Sequence, residues 1–530
     1  MQPSALPAPT RFRESLQQLL PVDAFLLLLL LGITQNLLWI KMATVCLALV
    51  IYIFRRGLKI KSLPGPFLFY LIMPVLGTFA AWLNGAFQFT SYPYVLAYGT
   101  LQWLVAGVGF LLLYAWLQQA NAIAARNSLR LFVLLNFLAS LAYLLVAMKE
   151  SGSWWPYALQ HQENFGLSTG DYIRGIFGGA SLVNAACSAL LLLYFSGKKE
   201  FSRAALCLVP LWLCGSNLFL LITVLFLGLQ LFIYEQQRGR RLVFLLIVAA
   251  GYMLTNFSNI SYLLHMSRDM ATGASEESAS TADDRAKDKA TGAGWLTDKP
   301  ANALTKTATV QQRQLAASLL PLLAEAPAGT HGEANGPSPD MLRVRQIVSV
   351  LYGCDYRALP AANAHLPLKA FALLQTIQYS LRHPKDLWLG AGMGNASSKL
   401  AMKVTGAGWH GSWPVEKAYV GAAFYSTHLP DFLYLFSQDV SQHSIAHFPN
   451  NAYTQLLGEY GILGVFLFLL LYVKYFLKIA RTQRSHAWPL LLLLLLVLGT
   501  DYWLESITIT FVFETLLLLP QAADKPEATT

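Results

Sequence analysis

Charge is scarce in this chain. Asp, Glu, Lys and Arg make up 12% of its 530 residues, about half of the roughly 25% usual in soluble globular domains. That excludes a solvated protein of three or four domains, and the composition fits no disordered or collagenous class. Cysteine is equally sparse. Of five, Cys46, Cys187, Cys207 and Cys214 fall in apolar stretches and only Cys354 outside them, so neither a disulfide framework nor a zinc-ligand spacing is present. No internal repeat stands out, which removes the inverted-repeat signature of many secondary transporters. What is abundant is hydrophobic sequence, 55% of the chain, gathered into runs too long and too frequent for soluble cores.

Twelve such runs can be traced: Leu19 to Ile33, Leu37 to Phe54, Pro66 to Leu83, Tyr94 to Leu117, Leu129 to Met148, Ile176 to Phe195, Ala204 to Cys214, Leu218 to Tyr234, Leu242 to Phe257, Tyr453 to Leu477, Trp488 to Thr500 and Ile507 to Leu519. The runs beginning at Ala204 and Ile507 fall below the roughly 20 residues of a straight span, so they must borrow flanking residues. With the N-terminus inside, 19 basic residues fall on the inner side and 3 (Lys41, Lys149 and Arg174) on the short outer loops. That asymmetry sets the orientation, and the net charge of +10 reflects topology rather than a nucleic-acid partner. No small-residue cleavage pattern follows the first run, which reads as a retained anchor.

The expected fold is therefore all-α: a polytopic membrane helix bundle of about 12 transmembrane helices with a large periplasmic loop containing amphipathic helices. Residues 1–257 form an N-terminal bundle of about nine spans, 258–450 the outward loop, 451–520 three C-terminal spans and 521–530 a cytoplasmic tail. Within the loop, 268–308 is rich in Ala, Thr, Ser, Gly and Lys, lacks apolar periodicity and is expected to be disordered. Helical spacing returns at Leu315, Leu319, Leu322 and Leu323, at Leu342, Ile347 and Leu351, and at Phe371, Leu374, Ile377 and Leu381. These are expected to be amphipathic helices on the membrane face of the core.

Three stretches at the outer face carry candidate chemistry. Ile173-Arg174-Gly175-Ile176-Phe177-Gly178-Gly179 sets a guanidinium beside flexible glycines. It is able to fork onto phosphate oxygens, or simply to reach for headgroups. The run from His383 to Asn395 alternates Gly390, Gly392 and Gly394, which suits either an anion-binding nest of backbone N–H groups or a plain tight turn. It follows a helix and not a strand, so a dinucleotide site is unsupported. From His443 to Gly464, two histidines (His443 and His447) and two asparagines (Asn450 and Asn451) precede a span bearing Tyr453, Gln455 and Glu459. Spacing by four puts Gln455 and Glu459 on one helical face, costly at membrane depth unless it faces the bundle interior. The bland reading is a capped helix start behind a histidine-bearing loop.

In order, spacing and topology these stretches resemble the O-antigen ligase and O-antigen polymerase superfamily of bacterial inner-membrane glycosyltransferases, over roughly Ile173 to Gly464. Arg174, Gly175 and Phe177 match its Arg-Gly-x-Phe motif. Pro384, Gly390, Gly392, Gly394 and Asn395 match its Pro and Gly-x-Gly-x-Gly-Asn stretch, and Glu459, Gly461 and Gly464 its closing motif. Two positions depart. Asn450 stands where the family has its catalytic histidine, leaving His447 or His443 as substitutes, and Lys369 falls near the family's second arginine, keeping the charge without the fork.

The resemblance implies a donor glycan on a polyprenyl diphosphate carrier, transferred at the periplasmic face onto a glycan or lipid-linked acceptor hydroxyl, within the bacterial inner membrane and with both termini cytoplasmic. Arg174 and Lys369 would hold the diphosphate, His447 would assist the attacking hydroxyl, and Asn450, Asn451, Tyr453, Gln455, Glu459, Gly392, Gly394, Asn395 and His443 would line the substrate site. No Asp-x-Asp motif is present, so a metal-independent reaction without a cofactor is expected. Loss of the family histidine leans the reading toward a polymerase or a divergent ligase-like transferase. The alternatives are a polyprenyl-linked glycan transporter or flippase and a catalytically inactive member that binds carrier-lipid glycan. Glu514, inside the last apolar run, is a further intramembrane carboxylate with no partner evident from sequence.

Overall fold

The computed structural model describes residues 21–57, 63–151, 173–233, 238–255, 368–406, 412–429, 431–432, 448–482 and 484–523. Residues 1–249 and 359–530 form one compact unit; a second, 250–358, is described only over 250–255. His443, His447, the tract 268–308 and the leucine periodicities at 315–323 and 342–351 lie outside the described residues.

Among the described residues the chain is helical, without strands. Each of the twelve apolar runs coincides with a helix. The first nine are α1 (Ala24–Ile33), α2 (Leu38–Arg56), α3 (Gly65–Leu83), α4 (Tyr92–Leu117), α5 (Ala122–Ser151), α6 (Ser181–Gly197), α7 (Phe201–Leu213), α8 (Asn217–Ile233) and α9 (Arg238–Thr255). Later in the chain come α10 (Leu368–Arg382), α11 (Pro384–Leu389), α12 (Lys399–Val404) and α13 (Ala422–Thr427). A long helix then runs Ala452–Leu467 (α14), through a π-helical stretch Phe468–Val473, into Lys474–Thr482 (α15). The chain ends in α16 (Arg484–Leu498), the single turn α17 (Trp503–Ser506) and α18 (Thr508–Ala523). Five helices are long and apolar enough to cross a membrane: α2, α3, α4, α5 up to Glu150, and the run Ala452–Thr482. The remaining apolar helices are shorter, 10–17 residues.

Two of those shorter helices form the centre. A helix apolar on every side has no face to offer water and must be enclosed. α6 is buried continuously from Val183 to Gly197 and packs on α7, α8, α16 and α18; α18 is buried from Thr508 to Leu519 and also meets α1, α4 and α5. α2, by contrast, buries one side and turns Leu47, Val50 and Phe54 outward. Polar side chains on enclosed helices have to satisfy one another. Asn136 Nδ2 donates to Asn184 Oδ1 (2.9 Å), and Asn184 Nδ2 donates to Ser140 Oγ (3.1 Å) and to the Ile173 carbonyl (3.0 Å).

α10 is the helix expected from the Phe371, Leu374, Ile377 and Leu381 spacing, but its burial is inverted. The buried residues are Ala372, Thr376 and Ser380, while Leu374 and Leu381 face outward. α10 packs on α11, α13 and α14, and α11 packs on α3 and α14. Small residues let α10 approach its neighbour closely: a Cβ added at Gly458 of α14 would lie 3.5 Å from Thr376 Cγ2.

Candidate functional site

The site begins with a break. Gly461, in the middle of α14, adopts φ 65° and ψ −168°, which interrupts the helical hydrogen-bond ladder and frees the carbonyls of the preceding turn. The glycine turn fills the gap. Ala391 N donates to Gly458 O (2.8 Å), Gly392 N to Glu459 O (3.0 Å), and Gly394 N to Glu459 Oε1 (2.7 Å). A side chain at either partner would prevent this approach, since a Cβ on Gly390 (φ +77°) would sit 2.2 Å from the Glu459 carbonyl carbon and one on Gly461 2.5 Å from that of Trp388. The N–H groups of Ala391, Gly392 and Gly394 are therefore spent on α14. Of the two sequence readings of Gly392 and Gly394, the tight turn describes their geometry. Asn395 has the same character: its Nδ2 donates to Ala391 O (3.0 Å), and its Oδ1 accepts from Tyr419.

Above the break, the first turns of α14 carry the side chains flagged by spacing. Asn451 caps the helix, its Oδ1 accepting from Thr454 N (2.6 Å). Asn450 Nδ2 donates to Asp501 Oδ1 (3.2 Å), and Tyr453 OH donates to the Leu495 carbonyl. Gln455 and Glu459 are fully buried. Asn450 Oδ1 and Thr454 Oγ1 are buried and find no hydrogen-bond partner among the described residues, while Glu459 Oε2 and the Gln455 amide have only each other and Ser398 as polar company. An unmet buried polar atom costs about 1–3 kcal/mol, so this sparsely satisfied group at the start of α14 marks a place able to meet polar groups from elsewhere.

One lysine meets the start of that face, and two more lie around the turn that follows Asp501. Lys369, at the start of α10, donates from Nζ to the carbonyls of Asn450 (2.9 Å) and Thr500 (2.6 Å). Burial pulls its ammonium down to about 8, and Asp501 partly offsets this. Lys399 reaches Ser506 Oγ (3.1 Å) and lies 3.8 Å from Asp501 Oδ2. Lys41, read from sequence as an outer-loop charge, is 4% exposed in the first turn of α2, where its ammonium meets the Ser506 carbonyl and Thr508 Oγ1 (3.3 Å). Glu505 accepts from Leu400 N (3.2 Å), and burial raises its carboxyl to about 7 although Lys399 works against this. Tyr502 OH bonds Ser397. Ile507 holds φ +64°, a strained conformation for a β-branched residue, at the turn between α17 and α18.

Arg174 stands on a 3₁₀ turn, Gly175–Phe177, tied down by Asn136 Oδ1 accepting from Ile176 N (3.2 Å) and by Gln35 Nε2 donating to Ile176 O (2.8 Å). Phe177 is buried against Phe132. Arg174 is exposed. The backbones do converge. Gln35 holds the Arg174 turn, and the next residue back, Thr34, accepts from Thr508 Oγ1 (3.3 Å) beside Lys41. The structure thus brings together Lys369, Asn450, Asn451, Gln455, Glu459, Gly392, Gly394 and Asn395, with Tyr453 turned toward α16 and Arg174 at the edge.

Sequence reasoning missed Lys399, Asp501 and Glu505 and read Lys41 only as topology. A signal for the acids existed: Asp501 and Glu505 break the apolar sequence between the last two runs, where a plain connection needs no buried carboxylate. Fold and site together define a polytopic helical protein with a lysine- and carboxylate-bearing polar centre at one end of its bundle. No protein-family model matches the chain, and neither does any curated protein or solved structure.

Proposed function

We propose that this protein transfers a glycan from a polyprenyl diphosphate carrier to an acceptor hydroxyl at the outward face of a bacterial inner membrane, as a polymerase or ligase-like glycosyltransferase of about twelve spans. The observation that carries the reading is the set of buried, sparsely satisfied polar side chains Asn450, Thr454, Gln455 and Glu459 within a bundle of apolar helices, with Lys369 at Asn450 and Lys399 near Asp501, the partner of Asn450. A ligand suited to such a place combines hydroxyl donors for the acceptor oxygens with negative charge for the ammonium groups, and must reach a centre enclosed by membrane helices. A lipid-borne sugar diphosphate has all three properties. The resemblance of the Arg174, glycine-turn and Glu459 stretches to the O-antigen ligase and polymerase superfamily supports the same reading.

In this reaction the acceptor oxygen bonds to the anomeric carbon as the carbon–oxygen bond to the diphosphate breaks, and the carrier diphosphate departs. Diphosphate is already a competent leaving group, so the protein's part is chiefly positioning and charge neutralisation. Lys369 and Lys399 supply positive potential, with Arg174 at the rim to grip phosphate oxygens. His447 is the proposed acceptor of the hydroxyl proton, its ordinary pKa near 6.5 suiting that task.

The test uses the full chain in proteoliposomes given carrier-linked glycan and candidate acceptors, with release of carrier diphosphate as the readout. Turnover by wild type, lost in Arg174→Ala and Gln455→Leu, supports the transferase. Carrier-lipid binding without turnover on any acceptor overturns it in favour of a binder or transporter. Full activity in His447→Ala removes that imidazole from the chemistry.

A further inference from the structure

We propose that α10 and α11 lie in the outer leaflet of the bilayer, with Leu374, Ile377, Leu381 and Trp388 against lipid acyl chains. The segment belongs to none of the helices long and apolar enough to span, yet its amphipathicity runs opposite to that of a helix in water. Viewed down the axis of α10 at 100° per residue, the buried side gathers Ala372, Thr376 and Ser380 with the half-buried Lys369, whereas the outer side gathers Ala370, Leu374 and Leu381 with the half-buried Phe371 and Ile377, and two strongly polar residues, Gln378 and the terminal Arg382. Leu374 is 44% exposed, Leu381 62% and Trp388, one short helix further on, 61%. Small and polar residues inward with large apolar residues outward is the arrangement of a helix solvated by lipid, and water would penalise it by about 25 cal/mol for each Å² of apolar surface.

Continuity identifies the occupant. α11 is fastened to the outer end of α3: Asn84 Nδ2 donates to Asp386 Oδ1 (2.9 Å) and to Gly390 O (3.2 Å), and Lys385 donates to the Leu83 carbonyl. The last outward residues of α3 are Val75, Phe79 and Trp82, all exposed. On the other flank the backbone at Trp388 abuts Gly461 of α14, whose next outward residues Ile462, Leu463 and Phe466 are also exposed. The apolar face of α10 and α11 thus adjoins the outward stripes of two membrane-length helices, with Asn84, Gln378, Arg382 and Lys385 as the exposed polar residues along it. Trp82 and Trp388, with Arg382 and Lys385 beside them, supply the aromatic and cationic residues that settle at a headgroup boundary.

The experiment places single spin labels on the full chain in lipid nanodiscs of phosphatidylcholine and phosphatidylglycerol holding one chain each. The background carries Cys46→Ser and Cys354→Ser, and labels go to Leu381→Cys and Trp388→Cys, with Phe466→Cys as the lipid-facing control and Ser426→Cys as the aqueous one. Collision with oxygen and with a water-soluble nickel chelate is measured at each. Labels at 381 and 388 are expected to match 466, with oxygen collisions several-fold above nickel collisions. Nickel collisions equal to those at 426 overturn the proposal in favour of a water-exposed face, and exclusion of both reagents overturns it in favour of coverage by protein. Trp388→Phe supplies a label-free check: wild type should lose more tryptophan fluorescence to brominated lipid than the variant, and equal quenching counts against the assignment. The outcome is independent of any glycosyl transfer.

Discussion

Glu514 and Glu459 are both buried carboxylates within apolar helices, and their surroundings differ. Glu514, in the middle of α18, accepts hydrogen bonds at Oε1 from Tyr70 of α3 (2.7 Å) and Tyr472 of the π-helical stretch (3.0 Å). Those rings belong to a dense aromatic group with Phe69, Trp103 and Phe468. Glu459, in α14, accepts one backbone N–H at Oε1, and its second oxygen has only the side chains of Gln455 and Ser398 for company. A satisfied carboxylate locks helices together, whereas a sparsely satisfied one holds free energy in reserve for a ligand. The difference separates a joint from a site, and four substitutions test it.

Gly390→Ala should have the largest effect. Its Cβ would have to displace the backbone of α14, at a cost above about 4 kcal/mol of the kind reserved for broken backbone geometry. Thermal unfolding in detergent should show either no folded protein or a greatly lowered midpoint; a near wild-type midpoint breaks the account of the helix break. Glu514→Leu should come next. It strands the hydroxyls of Tyr70 and Tyr472 at about 1–3 kcal/mol each, lowering the unfolding midpoint while the folded fraction keeps its turnover. A tenfold loss of turnover per folded molecule would move Glu514 from joint to site.

Glu459→Gln should do the reverse. Its amide oxygen still accepts from Gly394 N, so stability should change by less than about 1 kcal/mol, while carrier release should fall about 30-fold, equivalent to about 2 kcal/mol. Equal turnover would show that the second oxygen serves no ligand. The smallest effect is the pH dependence of Lys369. Its ammonium titrates near 8 when folded and near 10.4 when unfolded, so between those values the unfolded chain binds more protons. Stability should therefore rise with pH across that window, the burial penalty being fully present below about 8. Turnover, if it needs the charge, should fall as pH climbs through about 8, and Lys369→Arg should abolish that limb. An unchanged limb would mean that another group titrates there.

The helices were largely legible because lipid-length apolar runs leave little choice: all twelve became helices with ends shifted by a few residues. The face of α10 was not, since spacing alone gives a stripe without saying whether lipid or protein lies against it; Ala372, Thr376 and Ser380 decided that by allowing close approach. In the site, Gln455 and Glu459 were visible through their spacing and cost. Lys399, Asp501 and Glu505 were not, because Asp501 meets Asn450 and Lys399, and Glu505 meets Leu400, only through tertiary contacts between segments about fifty to a hundred positions apart in the chain. The alternating glycines carried a true signal of unusual backbone, but pattern alone did not distinguish a nest for an anion from a splint for a helix.

That splint has a bearing on biogenesis. A span interrupted at Gly461 would enter the bilayer with bare carbonyls, which hydrocarbon penalises by several kcal/mol each. The glycine turn that covers them precedes the span in the chain, so it is already translated when Ala452–Thr482 emerges. The break in Ala452–Thr482 is thus covered only once the glycine turn that precedes it in the chain has docked, which makes that turn a condition for completing the helix.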